Sequence, residues 1–263
     1  MNSNKRIVLT KRLLMSTTFA MTGIYLAVCA ALYIGQRSLI YRPQPSAQGS
    51  DGNVMTLSVD GVDLKVSTRQ HPGPKALLYF GGNAEDVSWK LPILSEAFPD
   101  HAVYLVHYRG YGGSSGRPTE KALFADSIAL FDKIHIEHKA IVVIGRSLGS
   151  GVAVYLASMR PVTRLVLVTP FDSLLGIAQS HFPYLPMRWL LRDKFESWRY
   201  APQVVAPTLI IAAAMDKEIP RASTDLLVSR FKSHVVTYKV LACTGHNSIS
   251  ESPEYLPALA GQP

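Results

Sequence analysis

After residue 53, short runs of apolar residues alternate along the chain with segments of helical periodicity. Continuously apolar runs bounded by turn residues are typical of strands buried on both faces of a parallel sheet. The two runs that flank Asp60-Gly61 instead predict a hairpin, because Asp-Gly is a favoured two-residue turn. The predicted strands are 53–59, 62–67, 76–80, 102–106, 141–144, 165–169, 208–212 and 236–240.

Segments with apolar residues three and four positions apart separate the later strands and predict helices. These helices cover 85–98 with a kink at Pro92, 122–136, 152–159 and about 223–231. The alternation predicts an α/β domain, with a mostly parallel sheet of about eight strands and helices on both faces. The aromatic and basic stretch 174–205 has no such pattern and is too short for a large cap, so we expect a small helical cover there.

The first fifty residues have a different pattern. No charged residue lies from Leu13 to Gly35, and a helix of this length can cross a hydrocarbon core of about 30 Å. More positive charge precedes this run than follows it, which favours a single-pass protein with a cytoplasmic N-terminus. We therefore expect a basic cytoplasmic segment over 1–12, a transmembrane signal anchor over 13–35, a Pro- and Ser-rich linker over 36–52, and a periplasmic or otherwise extracytoplasmic domain over 53–263.

A cleaved signal peptide is the alternative for the N-terminal run. The run is longer than an ordinary signal-peptide core of about 7–15 residues. Leu26-Ala27-Val28-Cys29 is similar to a lipoprotein signal, but Val28 stands where a small residue is expected. An uncleaved anchor is therefore the favoured interpretation.

The N-terminal segment also explains the charge of the chain. Of 27 basic and 19 acidic residues, six basic ones and no acidic one lie before Asp51, so the remainder is nearly neutral. We therefore expect no nucleic-acid partner, since that would need basic residues clustered on the folded domain. Cys29 and Cys243 are not expected to pair. No cluster of His, Cys and acidic residues has metal-ligand spacing, so neither a metal nor an organic cofactor is expected.

A candidate nucleophile lies between the strand 141–144 and the helix that follows. The sequence Gly145-Arg146-Ser147-Leu148-Gly149 has the Gly-x-Ser-x-Gly pattern of a nucleophile elbow, which holds a serine hydroxyl on a sharp strand-to-helix turn. The two glycines allow neighbouring backbone to approach the turn. Ser147 is therefore the candidate nucleophile.

A serine nucleophile needs a base, which is in turn oriented by a third group. His246 follows the last predicted strand, at the carboxyl edge of the sheet where sites in α/β folds lie. In proteins with a nucleophile elbow of this kind, the catalytic residues follow one another in the chain order Ser, Asp, His. This order favours His246 as the base and Asp216, after the strand 208–212, as the acid. Asp172, at the end of the preceding strand, is the alternative acid, although it also suits a helix N-cap.

Acyl transfer at a serine also needs hydrogen-bond donors for the oxyanion. The backbone N–H of Leu148 directly follows the nucleophile. The loop Gly81-Gly82-Asn83 follows the strand 76–80, and its glycines permit close approach of the backbone. We expect the backbone N–H groups of Leu148 and Asn83 to form the oxyanion hole.

Five motifs resemble those of the α/β-hydrolase superfamily in order and spacing. The segment 185–195 and Arg146 within the elbow are similar to a membrane-anchored single-span branch, which includes protein depalmitoylases and a lysophosphatidylserine lipase. Gly81 differs from the histidine that such relatives commonly have there. The resemblance implies an α/β-hydrolase fold with a small or absent cap, and a catalytic domain over 53–263. The motifs are Phe80-Gly-Gly-Asn-Ala84, Tyr108-Arg-Gly-Tyr-Gly-Gly-Ser114, Gly145-Arg-Ser-Leu-Gly-Ser-Gly151, Asp216-x-x-Ile-Pro220 and Gly245-His246.

These observations predict a serine hydrolase that cleaves an ester or thioester through an acyl-enzyme. The anchor and the aromatic, basic stretch 174–205 lead to a further hypothesis, an acyl-chain or lipid-like substrate. A peptidase or amidase with the same triad is one alternative. A non-catalytic, membrane-tethered binding module with a hydrolase fold is the other. The expected partners are a small-molecule or acyl-chain substrate and, through the N-terminal helix, the membrane.

Overall fold

The N-terminal helix is longer than the sequence pattern predicts. The computed structural model describes residues 3–46 and 54–261, and its first helix, α1, covers Ser3–Ile40. The part Thr10–Ile40 is long and apolar enough to cross a membrane. Residues 36–40 include no Gly or Pro, so the local sequence does not end the helix at Gly35. The helix continues to residue 40, and the chain enters the domain at Tyr41.

The predicted linker over 36–52 is therefore wrong in its first part. Residues 36–40 are the last turn of α1, and residues 41, 42 and 44 contact the domain. Tyr41 is buried, and the N–H of Arg42 donates to the carbonyl oxygen of Asn83 at 3.1 Å. Burial of an aromatic ring and the satisfied backbone groups fix this segment. Residues 47–53, which contain the rest of the predicted linker and the first residue of the first predicted strand, lie outside the described residues.

The predicted mostly parallel sheet of eight strands is confirmed. Its order is β1-β2-β4-β3-β5-β6-β7-β8, with β1 and β2 antiparallel to their neighbours and the other strands parallel. Asp60 and Gly61 both have positive φ, as the predicted two-residue hairpin turn requires. The strands are β1 Val54–Val59, β2 Val62–Arg69, β3 Lys75–Phe80, β4 Ala102–Val106, β5 Ala140–Arg146, β6 Arg164–Val168, β7 Thr208–Ala213 and β8 Val236–Leu241.

Helices pack on both faces of this sheet, and two apolar cores result. One core lies between the sheet and α3, α4 and α8, and the other between the sheet and α2 and α9. Alternate residues of each central strand enter opposite cores, which explains why these strands have continuously apolar sequences. After α1, the helices are α2 Leu91–Ala97, α3 Glu120–Ile134, α4 Leu148–Met159, α5 Leu174–His181, α6 Met187–Leu190, α7 Ser197–Tyr200, α8 Arg221–Arg230 and α9 Tyr255–Ala260.

The single helix predicted over 85–98 is wrong. A 3₁₀ turn, Val87–Lys90, comes first and is capped by the carboxylate of Asp86, which accepts from the N–H of Ser88. The α-helix begins only at Leu91, so Pro92 lies in its first turn. A proline is tolerated there because the first N–H groups of a helix have no intrahelical partner. Pro92 therefore starts α2 and does not kink a longer helix.

The stretch between β6 and β7 forms the small helical cover expected from the sequence. It contains the short helices α5, α6 and α7. Helices α5 and α6 lie beside the end of α1, whereas α7 packs against α4 and α8. Every residue of α5 is at least partly exposed. The cover is therefore a thin layer above the sheet edge at which the candidate site lies.

Candidate active site

The elbow is a strained turn enclosed by backbone. Ser147, between β5 and α4, has φ 49° and ψ −118°, a region that non-glycine residues occupy mainly at functional sites. Its N–H donates to the carbonyl oxygen of Val168 at 2.9 Å. A Cβ on Gly145 would lie 2.5 Å from the carbonyl oxygen of Gly149, and one on Gly149 would overlap the carbonyl oxygen of Phe80. Side chains at these two positions are therefore excluded by close packing around the turn.

Ser147, His246 and Asp216, predicted from distant parts of the sequence, lie side by side. His246 Nε2 is 3.0 Å from Ser147 Oγ, and His246 Nδ1 is 2.8 Å from Asp216 Oδ2. An ionised carboxylate only accepts hydrogen bonds, so the Nδ1–H donates to Asp216 and Nε2 accepts from the serine hydroxyl. His246 and Asp216 side chains are both nearly buried. Loops after β8 and β7 position them, beside the turn after β5.

The environment of Asp216 favours its ionised form. Burial of the carboxyl opposes ionisation, but the hydrogen bond from His246 and those from two backbone N–H groups outweigh burial and lower the pKa of Asp216. The N–H groups of Glu218 and Ile219 both donate to Asp216 Oδ1 at 2.9 Å. Asp216 is thus a fixed acceptor that orients the imidazole.

The alternative acid, Asp172, is used elsewhere. Its Oδ1 accepts from Ser223 Oγ at 2.6 Å and its Oδ2 from Ser173 Oγ at 2.9 Å. The predicted N-cap role of Asp172 is wrong by one residue, because the hydroxyl of Ser173 accepts from Gly176 N and caps α5. A hydroxyl cap satisfies the same orphan N–H groups as a carboxylate. The acid that contacts His246 is Asp216.

The loop after β3 lies beside the elbow. Asn83 and Leu148 line the same cavity as Ser147. The N–H of Gly82 donates to Glu85 Oε2 at 2.8 Å and is therefore engaged within the loop. A Cβ on Gly81 would lie 2.5 Å from Val87 Cγ1, which explains why this position has no side chain. The loop thus places Asn83 in the cavity that contains Ser147. The oxyanion-hole role of its backbone N–H stays a prediction.

A buried ion pair, which the sequence analysis missed, joins three parts of this site. Arg146 Nη1 donates to Glu85 Oε2 at 3.1 Å, and Tyr79 Oη donates to Glu85 Oε1 at 2.8 Å. Arg146 Nη2 donates to the carbonyl oxygen of His246 at 3.3 Å and to Asn247 Oδ1 at 3.1 Å. The pair therefore links the loop after β3, the elbow and the histidine loop. Glu85 was placed in a helix, and no local pattern reveals a partner 61 residues away.

The effect of this pair on Arg146 is electrostatic. Burial lowers the pKa of Arg146, but the carboxylate of Glu85 and nearby tyrosines raise it by more, so the net pKa is above its ordinary value. Burial also raises the pKa of Tyr79 well above 10. Both groups hold their protons through the neutral range and act as fixed donors to Glu85.

The end of α1 is also part of the site. The carbonyl oxygen of Asn83 accepts from Arg42 N at 3.1 Å and from Tyr111 Oη at 2.7 Å, while Asn83 Nδ2 donates to the carbonyl oxygen of Ile40 at 3.2 Å. The predicted linker was assigned no such role. The signal that was missed is Tyr41, an aromatic residue within the predicted linker.

A cavity of about 460 Å³ opens onto Ser147. Its walls are mainly apolar and come from α5, the loop after β6 and the end of α1, and Lys217 and Glu218 lie at its rim. A larger cavity of about 540 Å³ lies at the opposite edge of the sheet, around Pro99 and Arg164, and lacks the nucleophile. Among residues 3–46 and 54–261, no group of three or more His, Cys, Asp or Glu side chains is placed to hold a metal ion.

Comparisons with known proteins agree with this architecture. A family model for the alpha/beta hydrolase fold matches residues 75–190. An uncharacterised protein of Mycobacterium tuberculosis (strain H37Rv) is 37% identical over 231 residues, which are 81% of this chain and 80% of that protein. Protein bem46 of Schizosaccharomyces pombe is 29% identical over 271 residues, covering 92% and 90% of the two chains. The esterase Pf2001 of Pyrococcus furiosus superposes with a TM-score of 0.68 at 17% identity, covering 84% of this chain and 97% of the esterase.

Proposed function

Because the chain belongs to the α/β-hydrolase superfamily, we propose that it is a serine hydrolase that cleaves esters or thioesters through an acyl-enzyme. One observation carries the proposal. Ser147 Oγ lies 3.0 Å from His246 Nε2, and His246 Nδ1 lies 2.8 Å from Asp216 Oδ2. A hydroxyl, an imidazole and a carboxylate in this order are the groups that activate a serine for acyl transfer.

In the first step, Ser147 Oγ attacks the carbonyl carbon of the substrate. The hydroxyl proton passes to His246 Nε2, and the resulting imidazolium is stabilised by the carboxylate of Asp216. The carbonyl π electrons move onto the oxygen, and the backbone N–H groups of Leu148 and Asn83 donate to that oxyanion. Fixed donors of this kind contribute about 3–4 kcal/mol each to lowering the barrier.

The tetrahedral intermediate then expels the alcohol or thiol. The electron pair of the oxyanion re-forms the C=O bond, the bond to the leaving group breaks, and His246 returns its proton to that group. The product is an acyl-enzyme on Ser147. Water attacks it in the same way, with His246 as base, and releases the carboxylic acid while Ser147 regains its proton. No step of this sequence uses a metal or organic cofactor.

The cavity supports a substrate with an apolar acyl part. Phe171, Leu174 and Ile177 line it next to Ser147. Apolar walls with a few polar groups are typical of sites that bind small organic molecules. An acyl-chain or lipid-like ester fits this lining better than a polar peptide would.

A fluorophosphonate probe tests the nucleophile. We expect the full-length protein in detergent to be labelled, and Ser147→Ala to lose the label, because the probe reacts with an activated serine. Ser158→Ala in the same helix is the matched control and should be labelled like the native protein. Equal labelling of the native protein and Ser147→Ala, or labelling of neither, would favour the non-catalytic binding module.

A substrate panel tests the reaction class. We expect p-nitrophenyl esters and acyl thioesters to be cleaved with a burst of the leaving group, because acylation precedes hydrolysis of the acyl-enzyme. Anilides of the same acyl groups should react more slowly. Faster cleavage of the anilides would instead favour the peptidase or amidase.

We also propose that the N-terminus is cytoplasmic and that the hydrolase domain lies on the other side of the membrane. The four basic residues before α1's apolar stretch support this orientation. Cys243 is exposed and reports the side of the domain. A membrane-impermeant maleimide should label Cys243 in sealed cells or spheroplasts, with Cys243→Ser as control. Labelling that appears only after lysis would reverse the orientation.

A further inference from the structure

Three large apolar side chains within nine residues of the cover are exposed. We call residues 182–190 the 182–190 segment; it joins α5 to α6 and includes α6. Tyr184 is 90% exposed, Trp189 81% and Phe182 46%. A grouped apolar surface of this kind on a folded domain marks an interaction site, whereas single exposed residues do not.

This segment is fixed to α1 at two levels. Tyr25 Oη donates to the carbonyl oxygen of Tyr184 at 3.1 Å. Further along α1, Gln36 Nε2 donates to the carbonyl oxygen of Leu190 at 3.0 Å, and Gln36 Oε1 accepts from the N–H of Arg192 at 2.7 Å. The segment therefore lies along about eleven residues of α1, with Tyr184 at the level of Tyr25.

The position of Tyr25 within the apolar stretch sets the depth of the segment. At 1.5 Å per residue, Tyr25 lies about 20 Å along α1 from Arg12 and about 18 Å from Arg37, the charged residues that bound the uncharged stretch. A hydrocarbon core of about 30 Å that starts after Arg12 cannot end at Tyr25 and must extend roughly 10 Å beyond it. Tyr184 therefore lies at the level of the hydrocarbon core, on the side of the hydrolase domain.

Charged side chains at the domain end of α1 agree with this depth. The guanidinium of Arg192 lies 5.7 Å from the ring centre of Tyr33, and Arg37 Nε is 2.9 Å from Asp193 Oδ2. Tyr33 is about 12 Å along α1 from Tyr25, toward the domain. Arginine and tyrosine side chains are favoured at the headgroup level, where polar tips reach water and stems stay in the apolar region. The polar boundary thus falls at residues 33–37 of α1.

An apolar wall continues from this segment to the nucleophile. A cavity of about 110 Å³ lies between α1 and the helices α5 and α6, and Gln36 is its only polar lining residue among those described. Its wall is shared with the cavity that contains Ser147. The shared residues are Leu39, Ile40, Leu174, Ala178 and Phe182.

We propose that the 182–190 segment is immersed in the leaflet next to the hydrolase domain, and that the shared apolar wall takes the acyl chain of a bilayer lipid directly to Ser147. The immersion rests on a membrane-spanning α1 and on the contacts between α1 and the segment. The delivery of the chain rests on the proposed function. In this arrangement the anchor is one side of the substrate path as well as a tether.

Tryptophan fluorescence tests the immersion without using activity. The full-length variant Trp89→Phe/Trp198→Phe, which retains Trp189, is reconstituted in vesicles of phosphatidylcholine with brominated or ordinary acyl chains. We expect brominated chains to quench most of the Trp189 emission and aqueous iodide to quench little. A control replaces all three tryptophans by Phe and carries Ile136→Trp, an exposed position after α3 near the start of β5, and should show the reverse pattern. Quenching of Trp189 by iodide and not by bromine would overturn the proposal.

Photo-crosslinking repeats the test with the native tryptophans, in case the multiple variant does not fold. p-Benzoylphenylalanine is incorporated in place of Tyr184, and in place of Ile136 as control, in the same phosphatidylcholine vesicles. Covalent lipid adducts at position 184 and not at position 136 are expected. Equal adduct formation at both positions, or none at 184, would contradict immersion.

Acyl-chain selectivity tests the path. Ala178→Trp fills the shared wall, and we expect the ratio of kcat/KM for palmitoyl over acetyl esters to fall about tenfold or more, since chain contacts are lost. Gln179→Trp on the exposed side of α5 is the matched control and should keep the native ratio. An unchanged ratio in Ala178→Trp would overturn the path. Absence of ester hydrolysis in the native protein would instead refute the proposed function and leave the quenching result standing.

Discussion

The floor and the roof of the candidate site are built in different ways. The floor is the elbow, where Ser147 lies between backbone atoms that leave no room for a Cβ at Gly145 or Gly149. The roof consists of α5, α6 and the end of α1, where partly exposed residues are joined by a small number of polar contacts. Close-packed interiors respond sharply to a single added methyl group, whereas thin surface layers adapt. Under the proposed function, the chemistry that needs fixed atoms is thus separated from the more adaptable surface that would meet the substrate.

The strongest test of the floor replaces each of the two candidate acids in turn by asparagine. Asp216→Asn should lower kcat about 10⁴-fold, because the amide no longer holds the imidazole in the required tautomer. Asp172→Asn should leave kcat within a few-fold of the native value, since Asp172 contacts Ser173 and Ser223 and not His246. Steady-state kinetics on a short-chain ester measures both. A severe loss in Asp172→Asn with a mild one in Asp216→Asn would return Asp172 to the role of acid.

A glycine in each region tests the difference in packing. Gly149→Ala should destabilise the fold by at least about 3 kcal/mol, because its methyl group would overlap the carbonyl oxygen of Phe80. Gly35→Ala in α1 has open space around its Cβ and should stabilise by about 0.5–1 kcal/mol, as alanine restricts the unfolded chain. Thermal unfolding in detergent checks the two signs. Similar unfolding temperatures for both variants would show that the floor is not as tightly packed as described.

One ion pair in each region tests the same difference, Glu85–Arg146 in the floor and Asp193–Arg37 in the roof. Glu85→Gln leaves the nearly buried Arg146 without its carboxylate and should cost about 3 kcal/mol of stability. Asp193→Asn leaves the half-exposed Arg37 without its carboxylate and should lower the stability of the fold by about 1 kcal/mol or less. Chemical denaturation at neutral pH compares them. Equal costs would mean that solvent reaches the floor as readily as the roof.

The pH dependence of stability gives the smallest expected effect. The pKa of Asp216 is lower in the folded state than in the unfolded chain, so its carboxylate stabilises the fold above an unfolded pKa of about 4. This contribution is lost as the pH falls through the lowered folded value. Unfolding temperatures of Asp216→Asn should therefore decline less steeply than the native ones in that acidic range. A steeper decline would indicate that the carboxylate is not ionised in the fold.

Much of the floor was predictable because its determinants are local. Apolar runs gave the parallel strands, the Gly-x-Ser-x-Gly pattern gave the elbow, and chain order selected Asp216 and His246. Helix α9 was missed, since its six residues include a proline and show no clear period. The ion pair between Glu85 and Arg146 was missed because two residues far apart in sequence carry no sign of their contact.

The roof was less predictable, and for a physical reason. The end of α1 follows from contacts of Gln36, Arg37 and Tyr41 with a distant part of the chain, whereas the sequence nearby has the prolines and serines of a linker. Local propensity predicts where a helix is able to end, and tertiary packing decides where it does end. The helix therefore continues five residues past Gly35, the predicted end of the transmembrane segment.

The hydrogen bonds between Asn83 and the chain at Ile40 and Arg42 have a practical consequence for anyone who prepares the protein without α1. A shortened version that begins at Pro43 would keep Ser147, His246 and Asp216, but the side chain of Asn83 would lose its acceptor and the carbonyl oxygen of Asn83 one of its donors. Leu39 and Ile40 would also be gone from the wall beside the nucleophile. Such a preparation would still react with a small acylating probe, while its preference among longer substrates would no longer represent the intact protein.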